Sequence, residues 1–116
     1  ARPPLDALDA EVLAAYVRWG FVDRSDGTVE LACDPETEAA IFGTTRAHGP
    51  THSFDRLSDV RCPTSVLYGS LTDLAPEWFV GQADVLGIEP QVVDGGHFFL
   101  FEDLDRAGDL IRRALG

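Results

Sequence analysis

Apolar residues recur at Leu5, Leu8, Val12, Leu13, Tyr16 and Val17 with helical spacing. The pattern predicts a helix over 9–19, with Asp6 or Asp9 placed to cap its start and Gly20 to stop it. Residues 21–24 and 28–31 read as short strand-like segments around Asp26-Gly27, a dipeptide favoured in hairpin turns. Asp34-Pro35 then opens a short helix to Phe42, with Pro35 at the first helical position and Glu in the first turn. Gly43 is predicted to end it, and 44–59 reads as a polar connector with a weak helical turn.

After that connector the pattern changes. Residues 64–68 are strand-like, introduced by Pro63 and ended by Gly69. Residues 76–86 predict a helix with Trp78, Phe79, Ala83 and Leu86 as core contacts and Gly87 as its stop. A second strand is expected over 90–93 and a closing helix over 101–115, its apolar stripe formed by Leu104, Ala107, Ile111, Ala114 and Leu115. Strand, helix, strand, helix is the order of a βαβ crossover, which makes parallel sheets. The fold class is therefore α/β. Two parallel strands alone leave edges and an uncovered face, so this half calls for further strands from a second polypeptide or a second copy.

Composition narrows the picture. The 116 residues suit one modest domain or part of a larger one, and 45% apolar with 25% charged residues is a globular mixture. No apolar run approaches the roughly 20 residues of a membrane span. The formal net charge of −11 argues against nucleic-acid binding and against affinity for anionic membranes. All nine basic residues are Arg, which reads as coding bias. Met is absent even at position 1, so Ala1 is expected to follow processing or excision from a longer chain, with Pro3 and Pro4 resembling a linker end. Cys33 and Cys62 are expected as small buried hydrophobes of a cytoplasmic protein, without a disulfide.

Candidate chemistry gathers where strands are expected to end. Asp94-Gly95-Gly96-His97-Phe98 places a His on a Gly-rich loop between a strand and a helix, a good position for proton transfer near neutral pH. Gly95-Gly96 lets the backbone approach closely and take positive φ. Gly69-Ser70-Leu71-Thr72-Asp73 forms a similar loop, and its Asp73 with His97 makes two thirds of a hydrolytic triad. Asp94 is the rival acid, but it lies three residues before His97 on the same loop. No Gly-x-Ser-x-Gly run exists in the chain, and Ser53, Ser65, Ser70 and Cys62 lack the context of a nucleophile. His48 and His52, with Asp55 nearby, have metal-pair spacing, but Gly49-Pro50 interrupts them and no metal is expected. Trp19, Phe21 and Trp78 are expected in core or cap packing, and Glu102, Asp103 and Asp105 on a solvated helix face.

The order of elements resembles the C-terminal half of an α/β-hydrolase fold enzyme. Arg61-Cys62-Pro63-Thr64-Ser65-Val66-Leu67-Tyr68-Gly69 looks like that family's penultimate strand, and Gln91-Val92-Val93-Asp94-Gly95-Gly96-His97 like its last strand and His loop. Residues 5–59 are similar to the helical cap region of some bacterial members. The resemblance implies residues 1–59 as a cap-like segment and 60–116 as the C-terminal part of the core. It implies His97 as general base and Asp73 as the acid that orients it. Many members place that acid three residues after the strand-ending Gly, where Thr72 stands here; the variant with Ser or Thr before the Asp also occurs. The implied function is hydrolysis of an ester-like or other acyl bond in a small molecule, with no cofactor and no metal. The nucleophile would come from an N-terminal half outside these residues. Two alternatives stand beside it. One is another chemistry on the same fold, such as a dehalogenase, an epoxide or C–C hydrolase, or a lyase. The other is a non-catalytic interaction module.

Overall fold

A computed structural model describes residues 5–48 and 51–116, with the backbone alone for 44–48 and 51–52. The chain divides into two compact units, Ala10–Asp55 and residues 5–9 together with Arg56–Gly116. Short strands and helices alternate in both, a mixed α/β pattern.

In the first unit, the amphipathic stripe forms α1, Ala10–Gly20, with Glu11 in its first turn and Arg18 in its last, the signs that suit the helix dipole. The strands β1, Phe21–Asp23, and β2, Val29–Leu31, pair antiparallel with Val22 opposite Glu30. The Arg24 N–H donates to the Thr28 carbonyl at 2.9 Å and the Gly27 N–H to the Arg24 carbonyl at 3.1 Å. The hairpin therefore closes through the three residues 25–27, with Gly27 at φ 82°, rather than through Asp26-Gly27 alone. The Asp26 carboxylate accepts from the Thr28 hydroxyl at 2.6 Å and from its N–H at 3.0 Å. The Thr28 hydroxyl first, and then its N–H, hold the Asp26 carboxyl below the ordinary aspartate value.

The helix α2 spans Pro35–His48 and starts as its residues dictate. Pro35 occupies the first helical position, and the Asp34 carboxylate accepts from the Thr37 N–H at 3.1 Å. Its end differs from expectation: Gly43 lies inside the helix, without positive φ. A glycine stops a helix only by taking the left-handed conformation at its end; inside, it costs about 1 kcal/mol against Ala, which the flanking Ala39, Ala40 and the Asp34 cap offset. The helix α3, Thr51–Phe54, follows, and a 3-10 turn, Leu57–Asp59, opens the second unit, so 44–59 holds more helix than its polarity suggested. Trp19 is 72% exposed and not in the packing expected of it, although Phe21 makes an edge contact with Tyr16 at 6.4 Å.

In the second unit, β3, Leu67–Gly69, and β4, Gln91–Val93, pair parallel, with Leu67 opposite Gln91 and Gly69 opposite Val93. The ladder starts later than 64 and 90 because Pro90 has no N–H to donate. The Gln91 N–H is the first donor, and it reaches the Val66 carbonyl at 2.9 Å. Between the strands runs α4, Pro76–Leu86, with Pro76 in its first turn. A Schellman-type closure ends it: Gly87 stands in the left-handed region and the Ile88 N–H reaches back to the Ala83 carbonyl at 3.0 Å. Ala83 is fully buried, and Tyr68 stacks on Phe79 at 5.1 Å. Trp78, by contrast, is 62% exposed, outside the core role expected for it.

The closing helix is broken into α5, Phe99–Glu102, and α6, Leu104–Leu115. Asp103 causes the break: its backbone is extended at φ −153°, and its side chain accepts from the Arg106 N–H at 2.9 Å. An Asp competes with the helix for its own backbone donors and so favours the cap over the interior. The core of this unit is Val66, Ala83, Val93, Phe99 and Ala107. Both cysteines are free and exposed rather than buried. Among the described residues, no helix is long and apolar enough to cross a membrane.

Candidate functional site

The parallel pairing of β3 and β4 brings two loops to the carboxyl ends of neighbouring strands, the place where open α/β sheets gather ligands. The backbones of these loops are tied together. The Ser70 N–H donates to the Val93 carbonyl and the Leu71 N–H to the Gly95 carbonyl, each at 2.8 Å. Contact is close enough that a Cβ at Gly69 would overlap the Gly96 carbonyl oxygen and stand 2.6 Å from that of Gly95. Gly95 has φ 131°, and a Cβ there would meet the Glu102 carboxylate at 2.6 Å and Phe99 at 3.0 Å. The side chain-free pair of strand ends is what allows the two loops to touch.

From the helical side the His loop is held by Glu102. Its carboxylate accepts from the Gly96 N–H at 2.9 and 3.2 Å, the latter to the second oxygen. Glu102 is half-buried and so does not lie on the solvated face expected for it, whereas Asp105 is exposed. The signal in the sequence was a carboxylate on the turn directly after a glycine loop whose N–H groups have no strand partner. The loop is fixed further by the Phe99 N–H, which donates to the Gly96 carbonyl at 3.3 Å. The following turn is tied to the start of the unit by the Asp9 N–H, which donates to the Phe101 carbonyl at 2.8 Å.

His97 projects from this anchored loop and is exposed. Its ring meets Phe98 edge-on at 5.2 Å, and Phe98 in turn lies 6.4 Å from Phe101. Its Nδ1 faces the Thr72 hydroxyl at 3.5 Å. The same hydroxyl oxygen accepts from the Leu74 N–H at 3.2 Å, which sets the rotamer of Thr72. Thr72 is half-buried and its own N–H donates to the Gly69 carbonyl at 3.1 Å. Asp73 lies one residue further on, is exposed, and forms no hydrogen bond or ion pair among the described residues. The loops that carry His97 and Asp73 are thus brought together, but the residue in contact with the imidazole is Thr72. Asp94, the rival acid, accepts from the Ser70 hydroxyl at 3.4 Å instead.

A hollow of about 370 Å³ lies between the strands and α6, and His97 is not among the residues that line it. Leu67, Val93, Leu110, Asp94, Arg106 and Arg113 line it. The Arg106 Nε is buried there without a hydrogen-bond partner among the described residues. Ser65 also lines it, but with no histidine in the lining to take its proton, so the strand-end loops remain the candidate for chemistry. The His48 and His52 side chains, with the metal-pair spacing, lie outside the described residues. No family model, no curated protein and no solved structure matches this chain.

Proposed function

We propose that this chain supplies the proton-transfer part of an α/β-hydrolase fold enzyme that cleaves an ester-like or other acyl bond of a small molecule. The observation that carries the reading is the placement of His97. It stands exposed on a hydrogen-bonded loop at the carboxyl end of β4, beside a second loop at the end of β3. Its ring is held through Nδ1, so Nε2 is the nitrogen left to work on a reactant.

In this reading a Ser supplied by another polypeptide segment attacks the acyl carbon. As its Oγ–C bond forms, its proton passes to His97 Nε2. The tetrahedral intermediate then expels the leaving group, which takes that proton back. Water, deprotonated by the same nitrogen, releases the acid and restores the Ser. Phe98 and Phe101 offer an apolar flank for the acyl group of a small substrate. The role requires no metal or cofactor from these residues.

The test has two arms. The 116-residue chain by itself is expected neither to hydrolyse p-nitrophenyl butyrate nor to be labelled by a fluorophosphonate. A protein containing this segment together with a nucleophile is expected to lose roughly 10⁴-fold or more in kcat on His97→Ala. Hydrolysis by the chain alone that His97→Ala abolishes would overturn the assignment of the nucleophile to another segment. An unchanged kcat in the longer protein would remove His97 from the chemistry.

A second reading, an interaction module, is favoured by the two-stranded parallel sheet, since such sheets are normally covered and extended on both sides. It predicts reversible self-association or strand capture; a monomer in sedimentation at high concentration counts against it.

A further inference from the structure

We infer that Thr72, not Asp73, is the positioning residue of His97, and that the imidazole works with a neutral hydroxyl in the place of a carboxylate. This rests on the reading of His97 as the proton-transfer group. Three observations carry it. The Thr72 Oγ1 is the side-chain atom within hydrogen-bond distance of His97 Nδ1, at 3.5 Å. Thr72 is half-buried and clamped, by its N–H on the Gly69 carbonyl and by the Leu74 N–H on its oxygen. Asp73 is exposed and makes no hydrogen bond or ion pair among the described residues.

The consequence follows from what a hydroxyl can do. A carboxylate only accepts, so it fixes a proton on Nδ1 and stabilises the imidazolium by charge. A threonine hydroxyl has one proton to give and two lone pairs. The Leu74 N–H occupies one lone pair, which leaves either the proton or the second lone pair to face Nδ1, according to the rotation of the hydroxyl. Accepting a hydrogen bond also polarises the O–H toward donation. In the resting state the hydroxyl therefore donates to Nδ1, and the ring proton sits on Nε2. To act as a base at Nε2, the ring must first take the other tautomer. The hydroxyl permits this by rotating and accepting from Nδ1–H through its free lone pair. His97 is in this way oriented as in a triad but rests with its ring proton on Nε2; the ring is exposed, so water takes that proton as another binds Nδ1, and Nε2 is then free to accept the Ser proton.

The test reads the ring itself and needs no turnover. In the intact ¹⁵N-labelled chain, long-range ¹H–¹⁵N correlation resolves the Nδ1 and Nε2 shifts of His97, assigned by its disappearance in His97→Gln. Wild type is expected to show the Nε2–H form dominant. Thr72→Val, nearly isosteric, is expected to shift the tautomer ratio, and Thr72→Ser to restore it. Asp73→Asn is expected to leave it unchanged. Thr72→Asp is expected to raise the His97 titration midpoint by about one unit, because a carboxylate then faces Nδ1. Asp73, Asp94 and Glu102, the other acidic groups of these loops and of α5, are unaltered in that variant. The amide shifts of Gly95 and Gly96 report that the loop stays folded.

An unchanged ratio in folded Thr72→Val overturns the inference. So does a change in Asp73→Asn that exceeds the one in Thr72→Val, which returns the acid to Asp73. Should Thr72→Val unfold, an unmoved midpoint in Thr72→Asp overturns it alone. None of these outcomes depends on whether the protein hydrolyses anything. The hydrolase reading fails on the kinetics of His97→Ala and this one on the His97 spectrum.

Discussion

At the scale of single residues, the two strand-end loops depend on atoms that are absent as much as on those present. Gly69 has no room for a Cβ because the Gly96 carbonyl fills that place. Gly69→Ala is expected to destabilise the second unit by about 3 kcal/mol, since the obstacle is backbone that cannot swing aside. Urea unfolding followed by the amide resonances of β3 and β4 would measure it; a loss under 1 kcal/mol would show that the loops part easily. Glu102 is the complementary case. Glu102→Ala leaves the half-buried Gly96 N–H without an acceptor and is expected to cost about 1–3 kcal/mol. Glu102→Gln keeps one oxygen for it and is expected to cost less. Hydrogen exchange at the Gly96 amide distinguishes them, with protection lost in the first and largely kept in the second.

At the scale of elements, caps and turns decide where helices and strands end. Asp103 splits the closing helix and then caps α6 through the Arg106 N–H. Asp103→Ala is expected to cost about 1 kcal/mol, read as a lower thermal midpoint of the second unit. Gly43 has an open environment inside α2, so Gly43→Ala is expected to gain up to about 1 kcal/mol and add helical ellipticity. The hairpin carries a pH dependence of known sign. Thr28 holds the Asp26 carboxyl below its ordinary value. The turn is therefore fully supported above the ordinary aspartate value and loses that support as pH falls through the lowered folded value. Protection of the Thr28 amide should hold from neutral pH into the aspartate range and fade below it. Thr28→Val, which removes the largest cause, should move the Asp26 midpoint back up.

At the scale of the whole molecule, the core is thin for the length of chain. Trp19 and Trp78 remain 72% and 62% exposed. Their fluorescence is expected to lie close to that of tryptophan in water and to shift little on unfolding; a strong blue shift in the native protein would contradict the packing described. A net charge of −11 adds self-repulsion that favours the expanded state. Moderate NaCl screens it over about 8–10 Å, so the thermal midpoint is expected to rise with salt. A midpoint that ignores salt would mean that the acidic residues are too dispersed to matter.

What the sequence determined by itself is local. Asp34-Pro35 starts a helix, Asp26-Gly27 turns a hairpin, Pro76 and Gly87 bracket α4, and Gly95-Gly96 bends the His loop, because each signal acts through neighbours a few residues away. The two strand-like runs with a helix between them were legible as a parallel pair for the same reason, as apolar runs bounded by Pro and Gly. Tertiary structure decided which side chains meet across that pair. Thr72 and Asp73 are adjacent, and one step along a loop turns a side chain to another direction. Only the docking of the β3 loop on the β4 loop, 25 residues away, selects Thr72 for His97. Glu102 looked like any acidic residue on a helix surface until the fold placed the Gly96 N–H against it. The same holds for Gly43 and Asp103: the composition of a helix states that it can form, and the balance of caps and packing around it states where it stops.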